Sequence, residues 1–275
     1  MIVASMLKNK TFAITRDIDH NRDFIRLVKQ FGGNPFSLPT IKLIPRNEQC
    51  IFKFLRKIRK TEFDYVVFMS PNAVDILLSL AEKTNERESV LKELKKKKII
   101  SLGPAVMNHL RINGISTNIM PERYSSEGLL SHIKKMELKK GTKILIPRSS
   151  ASSSLMNESL SLLGLEVDEF YLYSPEINSS SNVWSEFAHL LKNGKIHSLI
   201  FTSPSSVNAF CHIMQEALPE FMYYCERIHA LVSMGPLTTN ELRARGFSSH
   251  QAKEHTIEGA FKVAMGIVGR LNETE

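Results

Sequence analysis

Two serines, each followed by proline, come closest by type and setting to doing chemistry. Ser70-Pro71-Asn72-Ala73-Val74 closes an apolar run that starts at Val66, and Ser203-Pro204-Ser205-Ser206-Val207 closes one that starts at Leu199. Neither serine has the G-x-S-x-G setting of a nucleophile elbow. No nucleophile stands beside a base, and no carboxylate pair or metal-ligand set is spaced for catalysis. The chemistry on offer is anion recognition. Serine before proline opens a helix, because the hydroxyl caps free N–H groups and proline at the first helical position has none to leave unpaired. A strand that runs into such a helix leaves amides and a positive dipole end at its C-terminal edge. Capping alone also accounts for both serines, and ligand contact would use the same geometry.

The elements around these serines alternate strand and helix. Val74, Leu77, Leu78 and Ala81 follow the first serine at helical spacing, and Val207, Phe210, Cys211 and Met214 follow the second. Before the first serine come a strand at Thr11–Thr15, a helix ended by Gly32-Gly33, a second strand around Ile41–Ile44, and a helix over Ile51–Ile58. After it come a polar helix from Asn85 to Lys97, a strand ending Ser101-Leu102-Gly103-Pro104, a fifth strand over Ile115–Met120 and a helix over Ser126–Met136. Strand and helix alternate again from Lys143. A first helix there carries Leu155, Leu162 and Leu163, the strand Val167–Tyr173 follows, and a helix holds Trp184, Phe187, Leu190 and Leu191. Such alternation predicts parallel sheets with helices on both faces and ligand crevices at the C-terminal ends of the strands.

The chain is also a duplication. Thr15-Arg16, Ser70-Pro71, Ser101-Leu102-Gly103-Pro104 and Glu127-Gly128 recur as Pro147-Arg148, Ser203-Pro204, Ser233-Met234-Gly235-Pro236 and Glu258-Gly259, at offsets of 131 to 133 residues. Four landmarks in one order and nearly constant register mark a domain-sized repeat, too long for a solenoid. The serine-rich run Ser149–Ser154 falls where Asp17–Arg22 fall in the first copy, so it reads as a strand-to-helix loop. Local capping and ligand contact both suit it.

At 275 residues and 43% hydrophobic composition, the chain can fill two ordinary cores. Net charge is +8, but the densest run, Lys95–Lys98, ends a polar helix where cations are solvated and suit the dipole. No basic face with interleaved aromatics points to nucleic acid. A basic surface would still gather a polyanionic small molecule. Neither G-x-G-x-x-G nor a P-loop is present, which argues against nucleotide binding. Cys50, Cys211 and Cys225 form no Cys-x-x-Cys pair, Cys211 reads as core, and His250 and His255 are five apart, so neither disulfides nor a metal site is expected. No apolar run reaches a membrane span, and Met1–Lys10 has the reverse polarity of a secretory signal. The expectation is a cytoplasmic protein, monomeric, with no metal or other cofactor, no nucleic acid and no membrane partner.

These motifs, taken in order, resemble the uroporphyrinogen-III synthase family of tetrapyrrole biosynthesis across almost the whole chain. They are Thr15-Arg16, Gly32-Gly33, Ser70–Val74, Ser101–Pro104, Ile144–Arg148, Val167–Tyr173, Ser203–Val207 and Gly235-Pro236. Each alone is weak; their joint order and spacing carry the resemblance. It implies two similar flavodoxin-like, doubly wound α/β domains, joined by a two-stranded linker with an active cleft between them. Residues 1–37 with 175–275 would form one domain and 38–174 the other, with crossings near Phe36–Pro39 and Tyr173–Glu176, where prolines suit extended linkers. A contiguous split near residue 140 is the alternative.

The implied reaction is cyclisation of the linear tetrapyrrole hydroxymethylbilane with inversion of ring D. The resemblance makes Tyr173 the weak acid that assists departure of the terminal hydroxyl. A phenol, with an ordinary pKa of about 10, stays protonated at neutral pH and donates. The residues alone favour reading Tyr173 as an aromatic packed at a strand end, and Tyr171, on the same face by alternation, ranks second. The substrate-binding set so implied is Arg16, Ser70, Asn72, Ala73, Ser101, Gly103, Arg148, Ser149, Ser203, Ser205, Ser206 and Gly235. Arg16 and Arg148 end equivalent strands and suit either carboxylate recognition or a structural role. The competing class is a non-catalytic, duplicated receiver-like or ligand-sensing module. Asp17 and Asp19 would supply its acidic cluster, but Pro147-Arg148-Ser149 replaces them in the second copy.

Overall fold

The computed structural model describes residues 6–16, 21–180 and 182–270. The chain divides into two units, one of residues up to Lys42 together with those from Glu176 onward, the other of Leu43–Pro175. It opens with β1 (Thr11–Ile14), α1 (Arg22–Gln30), β2 (Asn34–Ser37) and β3 (Ile41–Pro45). Next come α2 (Cys50–Lys60), β4 (Tyr65–Phe68), α3 (Pro71–Lys83), α4 (Arg87–Lys95), β5 (Lys98–Ser101) and α5 (Pro104–Ile112). The second unit continues through α6 (Ser126–Lys135), β6 (Lys143–Ser149), α7 (Leu155–Ser161) and β7 (Glu166–Ile177). The return to the first unit brings α8 (Val183–Lys192), β8 (Ile196–Phe201), α9 (Pro204–Ala217), α10 (Phe221–Cys225) and β9 (Ala230–Ser233). It ends with α11 (Pro236–Ala244), β10 (His250–Gln251) and α12 (Ile257–Arg270).

The first unit's sheet has the order β10-β9-β8-β1-β2, and its neighbouring strands run parallel. Numbered within the unit this is 2-1-3-4-5, the flavodoxin-like doubly wound order, and it reverses between β1 and β8. Alternation divides the core between the two faces. Phe12, Ile14 and Ile200 pack with Phe24 and Phe261 on one side, while Ala13, Leu199 and Phe201 pack with Trp184, Phe187 and Phe210 on the other. Phe210 is the centre of the second layer, with its ring 5.2 Å from Phe201 and 5.8 Å from Phe187. Truncating a buried phenylalanine of this kind costs about 3–5 kcal/mol.

The second unit's sheet has the order β3-β7-β6-β4-β5, reversing between β6 and β4, which pair in parallel. Val66 and Phe68 face the layer built by α2, α3, α4 and α5, and Tyr65 and Val67 face that of α6 and α7. Each unit therefore draws on both halves of the duplication. β1 and β2 of the first copy join β8, β9 and β10 of the second, while β4 and β5 join β6 and β7.

One landmark of the repeat now has a physical cause. Gly128 donates its N–H to Ser125 Oγ, and Gly259 donates to Thr256 Oγ1, in the first turns of α6 and α12. A Cβ on Gly128 would fall 2.1 Å from the Arg123 carbonyl oxygen, and one on Gly259 2.3 Å from that of Glu254. Both copies need glycine because backbone occupies the side-chain position.

Two expectations are corrected, and one strand was not foreseen. The unforeseen strand is Asn34–Ser37, which pairs with β1, while Ile41–Pro45 belongs to the other sheet. Pro35 hid the former, and it is tolerated because β2 is an edge strand. Ile115–Met120 is no strand but a single parallel bridge, Ile100 to Ile119. In α7, Leu155 and Leu162 are exposed, and Met156 and Leu160 are buried instead, a phase that a seven-residue helix cannot reveal by periodicity. Helix α10 and strand β10 were not foreseen; at five and two residues they are too short to carry a periodic signal.

Candidate functional site

In the first unit the sheet order reverses between β1 and β8, so the segments after their C-terminal ends, Thr15-Arg16 and Thr202-Ser203, open the crevice expected of this topology. A hydroxyl network ties them together. Thr202 Oγ1 donates to the Thr15 carbonyl at 3.1 Å, the Thr202 N–H donates to Thr15 Oγ1 at 3.2 Å, and Thr15 Oγ1 lies 3.0 Å from Ser206 Oγ. Ser203 caps α9 by accepting from the Ser206 N–H, and Ser206 Oγ returns the contact to the Ser203 N–H, a capping box. The Ser203 and Ser206 hydroxyls are thus engaged in local structure worth about 1 kcal/mol. Ser205 is exposed, its hydroxyl 3.0 Å from that of Ser203, and remains open to a ligand.

Arg16 is half-buried, and its guanidinium has no partner among the described residues. Its carbonyl accepts from Asn21 Nδ2 at 2.9 Å, and that amide also donates to Ser37 Oγ at 3.2 Å. Asn21 is fully buried, with Oδ1 unpaired among the described residues, and was not singled out from sequence. Asp17 and Asp19 lie outside the described residues. Gly235 caps α11 with extended backbone and no side-chain acceptor, and the Ser233 hydroxyl lies 2.7 Å from Thr239 Oγ1.

The second unit repeats this edge with different contents. Ser70 accepts from the Ala73 N–H at 3.2 Å, and the same oxygen lies 3.3 Å from the hydroxyl of Tyr173, which is 7% exposed. Asn72 is half-buried in the first turn of α3, while the Ala73 methyl is buried in the core. Ser149 Oγ accepts from the Ala151 N–H, and Ser149 pairs with Tyr173 across a register shift. Ser101 is fully buried at the end of β5, with a hydroxyl that has no partner among the described residues. Gly103 caps α5, and a Cβ there would come 3.2 Å from Tyr124.

Arg148 is buried in an ion pair with Glu169, and its Nε–H is unpaired among the described residues. Glu169 also accepts from the Tyr171 hydroxyl at 2.9 Å, a bond that pushes the Tyr171 phenol above its ordinary range, with the Glu169 charge adding to it. The shift in register between Arg148 and Ser149 separates two tyrosines expected to share a face: Tyr171 is bound to Glu169, and Tyr173 reaches Ser70. Glu169 escaped the sequence reading although its i, i+2 spacing to Tyr171 was visible. Tyr124 lies in an irregular segment with no periodic signal.

Among the described residues no cluster of three His, Cys, Asp or Glu side chains could hold a metal ion, and no helix is long and apolar enough to cross a membrane. The cysteines are free and buried, and burial pushes the Cys225 thiol up to about 12.

The uroporphyrinogen-III synthase HemD family matches the chain over residues 22–262. The chain belongs to that family. It is 26% identical over 257 residues to a putative uroporphyrinogen-III synthase of Methanothermobacter thermautotrophicus, covering 92% of this chain and 98% of that one. It is 27% identical to the uroporphyrinogen-III synthase of Chlorobaculum parvum, covering 73% and 78%. Among solved structures, uroporphyrinogen-III synthetase of Helicobacter pylori superposes with a TM-score of 0.63 at 17% identity, covering 94% of this chain and 99% of that one. A mutant uroporphyrinogen III synthase of Thermus thermophilus gives 0.59 at 16% identity, covering 94% and 99%. The HemD fold is thus shared where little sequence is. Of the residues expected at a HemD site, each unit gathers its own set. Arg16, Ser203, Ser205 and Ser206 border the edge of the first, and Ser70 meets Tyr173 in the second.

Proposed function

We propose that the protein is a uroporphyrinogen-III synthase that closes hydroxymethylbilane with inversion of ring D, using Tyr173 as the proton donor. The observation that carries the assignment of Tyr173 is its hydroxyl, 3.3 Å from Ser70 Oγ at the C-terminal edge of the second unit's sheet. Tyr171 is withheld from that task, because its proton is directed at Glu169.

In this reading the phenol gives its proton to the departing terminal hydroxyl, which leaves as water and creates an azafulvene. The substituted carbon of ring D attacks that electrophile and forms a spiro-pyrrolenine. Fragmentation and re-closure give the inverted isomer, and loss of a proton from the last pyrrolenine balances the one donated. The uncatalysed bilane closes without inversion, so the protein's main contribution is to hold one conformer. Acetate and propionate groups on every ring engage the helix N-termini at Ser70, Asn72, Ala73, Gly103, Ser203, Ser205, Ser206 and Gly235, with Arg16, Ser101, Arg148 and Ser149 beside them. Arg148 enters this set with its Nη1 held by Glu169 and its Nε–H without a partner among the described residues. The passages of the chain through β3 and β7 form the two-stranded linker. Domain limits near residues 37 and 174, a monomeric state and a cytoplasmic setting complete the reading.

The test is direct. Purified protein is mixed with freshly made hydroxymethylbilane, without added metal or nucleotide, and the products are oxidised and separated. The type III porphyrin should dominate; a type I excess equal to the protein-free control would refute the assignment.

A further inference from the structure

We propose that an apolar recess over the first turn of α5 seats one pyrrole ring of the linear tetrapyrrole, with Tyr124 as the ring that stacks on it; the proposal rests on the synthase reading. The recess is lined by Met69, Leu102, Gly103, Val106 and Tyr124, and lies wholly within the second unit. Met69 immediately precedes Ser70, so the recess opens at the C-terminal end of β4, where α3 begins. Tyr124 is 58% exposed, a large aromatic surface left uncovered beside the sheet's C-terminal edge.

The helices that open at the duplicated strand ends differ in their caps. The N-termini of α3, α6 and α9 are capped by Ser70, Ser125 and Ser203, whereas α5 and α11 begin at glycines that offer no side-chain acceptor. The first amides of α5 and α11 are thus left for another acceptor. Between these two, only α5 adds an orphaned hydroxyl. In the duplication Ser101 corresponds to Ser233, whose hydroxyl meets Thr239 in the first turn of α11; Met107 stands in the place of Thr239, and Ser101 Oγ is fully buried with no partner. A buried hydroxyl without a partner is costly unless something completes it. Apolar walls, an exposed aromatic face and open amides together fit an electron-rich ring bearing carboxylates, and the Ser101 hydroxyl lies buried at the end of β5, two residues before Gly103. Glycine at 103 is part of the arrangement, because a Cβ there would press on the Tyr124 ring at 3.2 Å.

The experiment compares wild type, Tyr124→Phe, Tyr124→Leu and Tyr124→Ala for KM, kcat, thermal midpoint and the ratio of type III to type I product. Aromatic stacking of ordinary strength predicts a KM for hydroxymethylbilane roughly two- to tenfold higher in the Leu and Ala variants, with Phe restoring the wild-type value. The Leu variant keeps apolar cover over Gly103, so its thermal midpoint should stay at wild type while KM rises. Wild-type KM and isomer ratio in Tyr124→Leu would overturn the inference while leaving the synthase reading intact. A Phe variant as impaired as Leu would also overturn it, since the ring would then not be the operative group. Wild-type protein that makes no type III isomer would remove the synthase reading, and this inference with it.

Discussion

Replacing Tyr173 by phenylalanine separates catalysis from packing with little ambiguity. The ring is 7% exposed and packs in the core beneath α3, so a phenylalanine fills the same space. What is lost is one hydroxyl, 3.3 Å from Ser70 Oγ. That is long for an O–H···O bond, whose usual distance is about 2.7–2.8 Å, so the stability at stake is about 0.5–1 kcal/mol. Ser70 keeps its own contact with the Ala73 N–H, so the cap of α3 survives. For catalysis, removal of a positioned general acid costs about 10²- to 10⁴-fold in rate. The two magnitudes are far apart. Tyr173→Phe should melt within a few degrees of wild type while kcat falls at least about 100-fold. The assay is initial-rate conversion of hydroxymethylbilane, with products resolved as type I and type III after oxidation and melting followed on the same preparation. A variant with kcat within twofold of wild type would remove Tyr173 from the mechanism. A variant that loses activity only in step with its folded fraction would recast the residue as packing.

Glu169→Gln should lower stability by about 3 kcal/mol, because Arg148 and Glu169 side chains are 10% and 7% exposed and removing one charge strands the other; an unchanged denaturant midpoint would refute it. Gly259→Ala should cost about 1–3 kcal/mol, since a Cβ would meet the Glu254 carbonyl oxygen at 2.3 Å, and thermal melting reads this directly. Burial, then the charges of Lys10 and His229, lower the His197 pKa to about 4, while its Nδ1 accepts from the Thr11 N–H. The unfolded chain therefore binds the extra proton between its ordinary pKa of about 6.5 and the folded value. The stability that His197 contributes is present above that window and is lost as pH falls through it, by no more than about 2 kcal/mol after discounting for solvent screening. Stability measured from pH 7 to pH 4 should decline, and His197→Gln should flatten part of that decline; parallel slopes in variant and wild type would exclude the histidine as the cause.

Local physics was legible in the chain, and long-range pairing was not. The helix caps at Ser70 and Ser203, the glycines of the repeat and the buried strands at Val66 and Leu199 follow from residue type and spacing within a turn or two. A strand's partner, in contrast, is chosen among segments far apart in sequence. Nothing near Asn34 says that Asn34–Ser37, with a proline inside it, is the strand that pairs with β1. The candidate site divides in the same manner. Serines and glycines that open helices were readable because capping is local. The fates of Tyr171 and Tyr173 turned on one shift in register against β6, which directs one hydroxyl to Glu169 and the other to Ser70. By itself, then, the sequence determined the kind of elements and their duplication, because propensity, capping and periodicity act over a few residues. Only the tertiary structure decided how β7 registers against β6 and which hydroxyl is left to donate, because strand pairing brings together side chains, those of Ser70 and Tyr173, from more than a hundred residues apart.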